Sequence, residues 1–195
     1  NKKMTKKILS IVMAGFFSLS VIADEGMWLP QLLQAMNESD MQAHGLQLTA
    51  EDLYSVNNSS LKDAIVSLGG FCTAEMISSE GLMLTNHHCA FGSIQEHSSV
   101  SNDYIKDGFW AMSRDEELVN EGLTASFLVS IEEVTARVLA ELTDDMTEKE
   151  RSAKIREISK TIVDEKTEDT HYNARVKSFF GGNDFYIMTY ETFKD

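Results

Sequence analysis

The residues best suited to chemistry lie in one short segment, Thr85-Asn86-His87-His88-Cys89, which follows a run of apolar residues. An imidazole just past the end of a strand can take a proton from a hydroxyl nucleophile and return it to a leaving amine, provided that it is held rigidly. A cysteine bonded to the preceding strand would supply that rigidity. The segment therefore predicts a general base, with His87 and His88 as the candidates.

Zinc binding is the main alternative chemistry for the same side chains, because imidazole and thiolate are its usual ligands. The possible ligands are His87, His88, Cys89 and His97. Adjacent histidines rarely reach one ion, and the chain has neither a His-Glu-x-x-His nor a Cys-x-x-Cys spacing. The sequence therefore predicts no metal site and no other cofactor, and it disfavours redox-active thiols for the same reason.

The first 23 residues have the order of a secretory signal peptide. Val21 and Ala23 supply small side chains at the two positions that a signal peptidase reads, with Asp24 after the cut. The alternative is a membrane anchor, but about 15 apolar residues fall short of the roughly 20 that span a bilayer. The basic start and the apolar run that define the segment are Lys2, Lys3, Lys6, Lys7 and residues 8–22.

Export would place the two cysteines of the chain, Cys72 and Cys89, in an oxidising compartment. In an oxidising compartment an even number of cysteines usually means a disulfide. A hairpin over residues 71–85 would bring the two close together across neighbouring strands. We therefore expect a Cys72–Cys89 disulfide that fixes the turn next to the histidines.

Composition limits the function classes. An apolar fraction of 43% and a charged fraction of 25% are typical of a soluble globular protein. The net charge of -14 argues against binding to a nucleic-acid backbone, which needs a basic surface. The acidity is better explained by solubility, or secondarily by weak attraction of cationic substrates.

Short strands with glycine-containing turns dominate the pattern and indicate an antiparallel sheet or barrel. Helices are expected near the start, with Trp28, Leu32 and Met36 on one face, and after Thr147, where Glu150 completes a capping box. Trp28 and Trp110 are expected to be core or helix-packing residues rather than platforms for a ligand. The predicted strands are Ala64–Leu68, Phe71–Ile77, Leu82–Thr85, Thr124–Ile131, Ala174–Phe180 and Asp184–Thr192, with a further helix near Val134–Leu142.

The segment Thr85–Cys89 resembles the Thr-Ala-Ala-His-Cys motif of chymotrypsin-like proteases. Five separated motifs, in the right order, resemble the bacterial dipeptidyl-peptidase 7 and 11 family across almost the whole chain after residue 23. These motifs are Asp24-Glu25-Gly26-Met27-Trp28, Ser60-Leu61-Lys62-Asp63-Ala64, Thr85–Cys89, Asp107-Gly108-Phe109-Trp110-Ala111 and Phe180-Gly181-Gly182-Asn183.

The resemblance implies a mainly β fold with helical additions, namely part of a chymotrypsin-like double β-barrel. Residues 1–23 would be the signal peptide, and residues 24–195 the amino-terminal part of the catalytic domain. The chain would stop before the second barrel and the helical cap domain.

The resemblance also implies an exported serine-type dipeptidyl aminopeptidase, which releases dipeptides from the free amino terminus of oligopeptides. By motif position its catalytic histidine is His88, the one beside the cysteine, while the triad aspartate and serine lie beyond Asp195. The fragment alone is therefore expected to be inactive. The parent is expected to be a homodimer in the periplasm, at the outer membrane or outside a Gram-negative-type bacterium. The alternative is a non-catalytic secreted binding module on the same barrel.

Overall fold

Six strands form one antiparallel sheet in the structure, a computed structural model that describes residues 28–194. The predicted signal peptide therefore lies outside the described residues. The strands are β1 (Ile65–Leu68), β2 (Cys72–Met76), β3 (Met83–Thr85), β4 (Thr124–Glu133), β5 (Asn173–Phe179) and β6 (Asp184–Lys194). Their order across the sheet is β3-β2-β1-β4-β6-β5, so β3 and β5 are its two edges.

Within residues 28–194, three short helices precede β1, and four more lie in the connections between strands. The longest begins after Thr147, whose hydroxyl accepts from the backbone N–H of Glu150 while the Glu150 carboxylate accepts from the backbone N–H of Thr147, as the capping box predicted. No helix within residues 28–194 has the length and apolar character of a membrane span. The helices are α1 (Leu33–Met36), α2 (Glu38–Ala43), α3 (Ala50–Leu53), α4 (His87–His97), α5 (Tyr104–Asp107), α6 (Thr135–Leu139) and α7 (Glu148–Thr167).

Strand β6 has apolar residues on both faces because both faces are covered. Phe185 and Ile187 point to one side and pack against Ile158 and Ile162 of α7. Tyr186 points to the other side and packs against Leu29 and Ile131. Side chains alternate between the faces of a strand, so this hydrophobic run is what a strand between two layers requires.

A separate apolar cluster lies against β1 and β2, next to the strand that leads to the helix of His87 and His88. Val66 and Ala74 are fully buried, and Leu68 is nearly so. The paired positions Val66↔Ala74 and Leu68↔Cys72 put these side chains on one face. Cys72 packs on this cluster, so the cysteine belongs to a formed core.

The antiparallel sheet with helices confirms the coarse part of the predicted fold, and the predicted strands all form. The double barrel stays a prediction, because the described residues build a single sheet. Neither tryptophan lies in the core, which was one of the two places expected for them: Trp28 is 46% exposed and Trp110 is 82% exposed. The apolar spacing that suggested burial reports a local pattern, whereas burial requires a neighbouring surface to pack on.

Candidate active site

His88 is the second residue of α4, and only Asn86 separates the end of β3 from the start of α4. The end of β3 is fixed in two ways. Thr85 pairs with Ala74 across the sheet, and its hydroxyl donates to the carbonyl oxygen of Thr73 at 2.8 Å. The chain therefore enters the helix from an anchored strand.

The predicted disulfide joins Cys72, the first residue of β2, to Cys89 in the first turn of α4. The two Cα atoms are 6.0 Å apart, and 17 positions separate the cysteines in sequence. Closing a loop of this length stabilises a fold by about 3 kcal/mol in the chain-entropy model. Its local effect is more important here, because it ties the turn that carries His88 to the sheet.

The imidazole of His88 is exposed, and no side chain within residues 28–194 is hydrogen-bonded to it. A general base must be reachable by the group whose proton it takes, and a second group must orient its other ring nitrogen. His88 is exposed, so a group whose proton it takes could reach it. Neither ring nitrogen has a hydrogen-bond partner within residues 28–194, so a further group could orient the ring. It can therefore act as a base once a nucleophile and an orienting group are supplied.

His87 has a different environment from its neighbour. Its ring lies 5.8 Å from that of Phe91, centroid to centroid, with the planes inclined at 58°. Residues four apart on a helix lie on the same side, so this contact stays within α4. The structure thus gives His87 a packing contact on its own helix.

The four side chains that were weighed as possible zinc ligands do not form one cluster among residues 28–194. His97 is the last residue of α4, roughly 14 Å along the helix from His88. One ring nitrogen of His88 and the sulfurs of Cys72 and Cys89 do lie within 4.8 Å of one another. Both sulfurs, however, are bonded to each other and offer no thiolate.

Helix α4 is the part of the site that the sequence reasoning missed. Cys89 was expected on a neighbouring strand, but it lies on this helix. Residues 87–97 lack an apolar repeat at helical spacing and contain Gly92, which weakens a helix. The available signal was Asn86, a residue type favoured immediately before a helix, although its side chain makes no capping hydrogen bond here.

The fold and the placement of His88 can now be compared with known proteins. The Peptidase S46 family model matches residues 23–195. This chain belongs to the peptidase S46 family. The S46 chain is 46% identical over 194 residues to dipeptidyl-peptidase 7 of Capnocytophaga gingivalis, covering 98% of this chain and 27% of that protein. It is 43% identical over 189 residues to the Asp/Glu-specific dipeptidyl-peptidase of Flavobacterium psychrophilum, covering 97% of this chain and 26% of that protein.

Solved structures of dipeptidyl-peptidases also match this chain. The S46 chain matches the crystal structure of Porphyromonas endodontalis DPP11 with a TM-score of 0.76 and 39% identity, over 88% of this chain and 25% of that one. It matches the same protein in complex with the dipeptide Arg-Glu with a TM-score of 0.72 and 40% identity, over 87% of this chain and 26% of that one. The family resemblance is confirmed. The chain spans about a quarter of the length of these relatives.

Proposed function

We propose that this chain supplies the general base, His88, of a serine-type dipeptidyl aminopeptidase that releases dipeptides from the free amino terminus of oligopeptides. One observation carries the proposal: an exposed histidine lies on a helix tied to the sheet by the Cys72–Cys89 disulfide, within an S46 chain. Relatives named dipeptidyl-peptidases support the reaction class.

In this mechanism Nε2 of His88 accepts the proton of a serine hydroxyl as the oxygen attacks the scissile carbonyl. The imidazolium then gives that proton to the leaving amine. A carboxylate at Nδ1–H fixes the tautomer and stabilises the imidazolium. The serine and the carboxylate come from residues after 195, so residues 1–195 alone are inactive. No cofactor takes part.

The sheet becomes the first barrel of a chymotrypsin-like double barrel when the rest of the protein packs on it. Leu82 and Leu84, at the β3 edge, support this because both side chains are more than half exposed. Apolar side chains at a sheet edge favour a covering layer or a further strand. A second barrel and a helical cap complete the cleft, and the whole protein is a homodimer.

The protein is exported, with residues 1–23 removed, to the periplasm, the outer membrane or the medium. The disulfide supports this location because such bonds persist in oxidising compartments. Its substrates are oligopeptides with a free amino terminus. The relatives' names divide between dipeptidyl-peptidase 7 and Asp/Glu-specific enzymes, and we assign this preference to residues outside the chain.

The test is a pair of single variants in the full-length protein, assayed on fluorogenic dipeptidyl substrates. His88→Ala should lower kcat/KM by a factor of about a thousand or more, because it removes the base. His87→Ala is the matched control and should retain activity within about tenfold, since its ring packs on Phe91. Far-UV circular dichroism would show that both variants fold.

Labelling by a serine-directed phosphonate separates the mechanism from other hydrolases. Wild-type protein should be labelled, and His88→Ala should be labelled far more slowly because its serine is not activated. Equal activity of His88→Ala and wild type would show that the assignment of the base is wrong. Peptide binding without cleavage by wild-type protein would favour the binding-module alternative.

A further inference from the structure

Three possible metal ligands meet beside the start of α4. One ring nitrogen of His88 and the Sγ atoms of Cys72 and Cys89 all lie within 4.8 Å of one another. The ligand atoms of a tetrahedral zinc ion are about 3.5–3.8 Å apart, because the bonds from zinc to nitrogen and sulfur measure about 2.0–2.3 Å. The three atoms are thus already near the separations that one ion requires.

The disulfide is what keeps these atoms from binding a metal. Both sulfurs are bonded to each other, whereas it is the thiolate that acts as a metal ligand. Reduction would free two thiols on residues whose Cα atoms are 6.0 Å apart. Bonded sulfurs are about 2.0 Å apart and zinc-bound ones about 3.8 Å, so the two sulfurs must separate by roughly 1.8 Å. Rotation about the Cα–Cβ bonds is enough for such a movement.

Contacts other than the disulfide keep the three side chains together. Strand β2, which begins at Cys72, pairs with β3. The Thr85 hydroxyl at the end of β3 donates to the carbonyl oxygen of Thr73. In the first turn of α4, the backbone N–H of Cys89 donates to the carbonyl oxygen of Asn86 at 2.9 Å. The ligand atoms therefore remain neighbours when the sulfur–sulfur bond is broken.

The chemistry of these three ligands favours zinc or another soft divalent ion. Two thiolates neutralise the two positive charges of the ion, and the imidazole adds a third bond without charge. His88 is exposed, so water can take the fourth position. No carboxylate among residues 28–194 belongs to the cluster, which disfavours calcium and magnesium. His87 is not a member of the cluster either, and its ring lies against Phe91.

We propose that Cys72, Cys89 and His88 bind one zinc ion when the disulfide is reduced, and that the intact disulfide keeps metal away from His88. A pair of thiols supplies two electrons and two protons. The sulfur–sulfur bond breaks, both cysteines become thiols, and the reductant becomes a disulfide. Zinc then displaces the two thiol protons to solvent. All three ligands lie within residues 72–89, so the site needs no residue after 195.

Zinc at this site would block the proposed peptidase mechanism, because that mechanism uses both ring nitrogens of His88. This consequence rests on the proposed function, whereas metal binding itself does not. The protein with its disulfide intact is thus the active form, and the zinc-bound dithiol form is inactive.

The test uses the full-length protein, reduced by a trialkylphosphine, which takes an oxygen atom from water and leaves no thiol to compete for metal. Cobalt(II) is the probe because its thiolate charge-transfer band and its tetrahedral bands report the ligands. Reduced wild type should bind one cobalt ion per chain that the double variant C72A/C89A does not bind. Oxidised wild type should lack these bands. Zinc should displace the cobalt, since it binds such sites more tightly.

The two neighbouring histidines give a matched pair of variants. His88→Ala should bind cobalt about a hundredfold more weakly, because losing a ligand costs at least as much as losing one of its hydrogen-bond partners. His87→Ala should bind as wild type does, since its ring packs on Phe91. In an unfolded chain adjacent histidines would serve equally well, so a difference between the variants shows that the folded site binds the metal.

Three results would overturn the metal site. They are equal binding by the His87 and His88 variants, cobalt bands in reduced wild type no stronger than those in C72A/C89A, and equal bands in oxidised and reduced wild type. The first would mean that the fold does not select His88, and the other two that the cobalt ligands lie elsewhere.

Activity on fluorogenic dipeptidyl substrates separates this proposal from the proposed function. The activity that reduced wild type retains should be lost when zinc is added and should return with a chelator. Oxidised wild type, which offers one of the three ligands, should keep its activity at the same zinc concentration. Cobalt binding by the reduced protein together with unchanged peptide release would support the metal site and show that His88 is not the base.

Discussion

Cys89, the residue after His88, is bonded to Cys72 at the start of β2, so two separate connections fix the backbone of His88. One is the chain itself, which arrives from β3 through Asn86. The other is the disulfide, which joins the helix to Cys72 of β2. Cys72 lies two residues before Ala74, and Ala74 is the residue that pairs with Thr85 of β3. A helix held in this way restricts the direction in which its exposed imidazole points.

Removing the disulfide should cost both stability and activity in the full-length protein. The double variant C72A/C89A leaves no free thiol and should be less stable by about 3 kcal/mol in urea denaturation. Its kcat should fall with little change in KM, because the imidazole loses its fixed position.

Reductant supplies the control for this prediction. It should lower the activity of wild-type protein and leave that of C72A/C89A unchanged. Unreduced peptide mapping of the exported protein should show the Cys72 and Cys89 peptides linked. Free thiols at both positions would contradict the geometry described above.

The capping box at the start of α7 gives a second prediction. Thr147→Ala removes the hydroxyl that accepts from the Glu150 backbone, which typically costs about 1 kcal/mol. Amide hydrogen exchange in the first turns of α7 should therefore be about fivefold faster. Peptides covering β1 are the internal reference. Unchanged exchange in α7 would show that packing alone holds the helix start.

The pH dependence of stability should have a contribution from Glu132. The hydrogen bond from Lys166, at 2.6 Å, holds the pKa of this carboxyl below its ordinary value against the opposing effect of burial, and a hydrogen bond from Ser130 adds to the lowering. A group whose pKa is lowered by folding stabilises the protein above its unfolded pKa and loses that effect as the pH falls through its folded pKa. The contribution of Glu132 should thus be complete at pH 7, begin to decline as the pH approaches about 4.5, and be lost once the pH is below the lowered pKa of the folded state.

Thermal denaturation of Glu132→Gln beside wild type tests this. The difference in Tm should be largest at pH 7 and should shrink in acid, where both side chains are neutral. Glu133→Gln is the control, because Glu133 forms no ion pair with the residues from 28 to 194. If the difference in Tm between Glu132→Gln and wild type stayed constant with pH, the ionisation of Glu132 would not contribute to stability.

Packing of α7 on the sheet gives a fourth prediction. Ile158 is 4% exposed and contacts the cluster around Phe185 and Ile187. Ile158→Ala should destabilise the protein by about 2–5 kcal/mol in urea denaturation, through lost burial and the cavity left behind. Ile155→Ala changes a partly buried residue of the same helix and should cost less. Equal losses would mean that both residues are covered to the same extent in the whole protein.

Much of this protein could be derived from local signals. Alternating apolar residues and glycine turns specify strands β1 to β6, because a strand with one or two covered faces repeats every second residue. Thr147 and Glu150 specify the start of α7, because their side chains satisfy backbone groups three residues away. Five separated motifs in the right order, one of them around His88 and Cys89, indicated the family.

Helix α4, the exposure of Trp110 and the packing of α7 on β6 could not be derived in that way. Helix α4 carries no apolar repeat, and its first turn is held by a disulfide to a residue 17 positions away. Ile158 and Phe185 meet only because α7 folds back over the sheet. The sequence alone determined what each short segment prefers, since those preferences come from neighbouring residues. The tertiary structure alone decided which segments face each other, because burial and charge proximity depend on residues far apart in the chain.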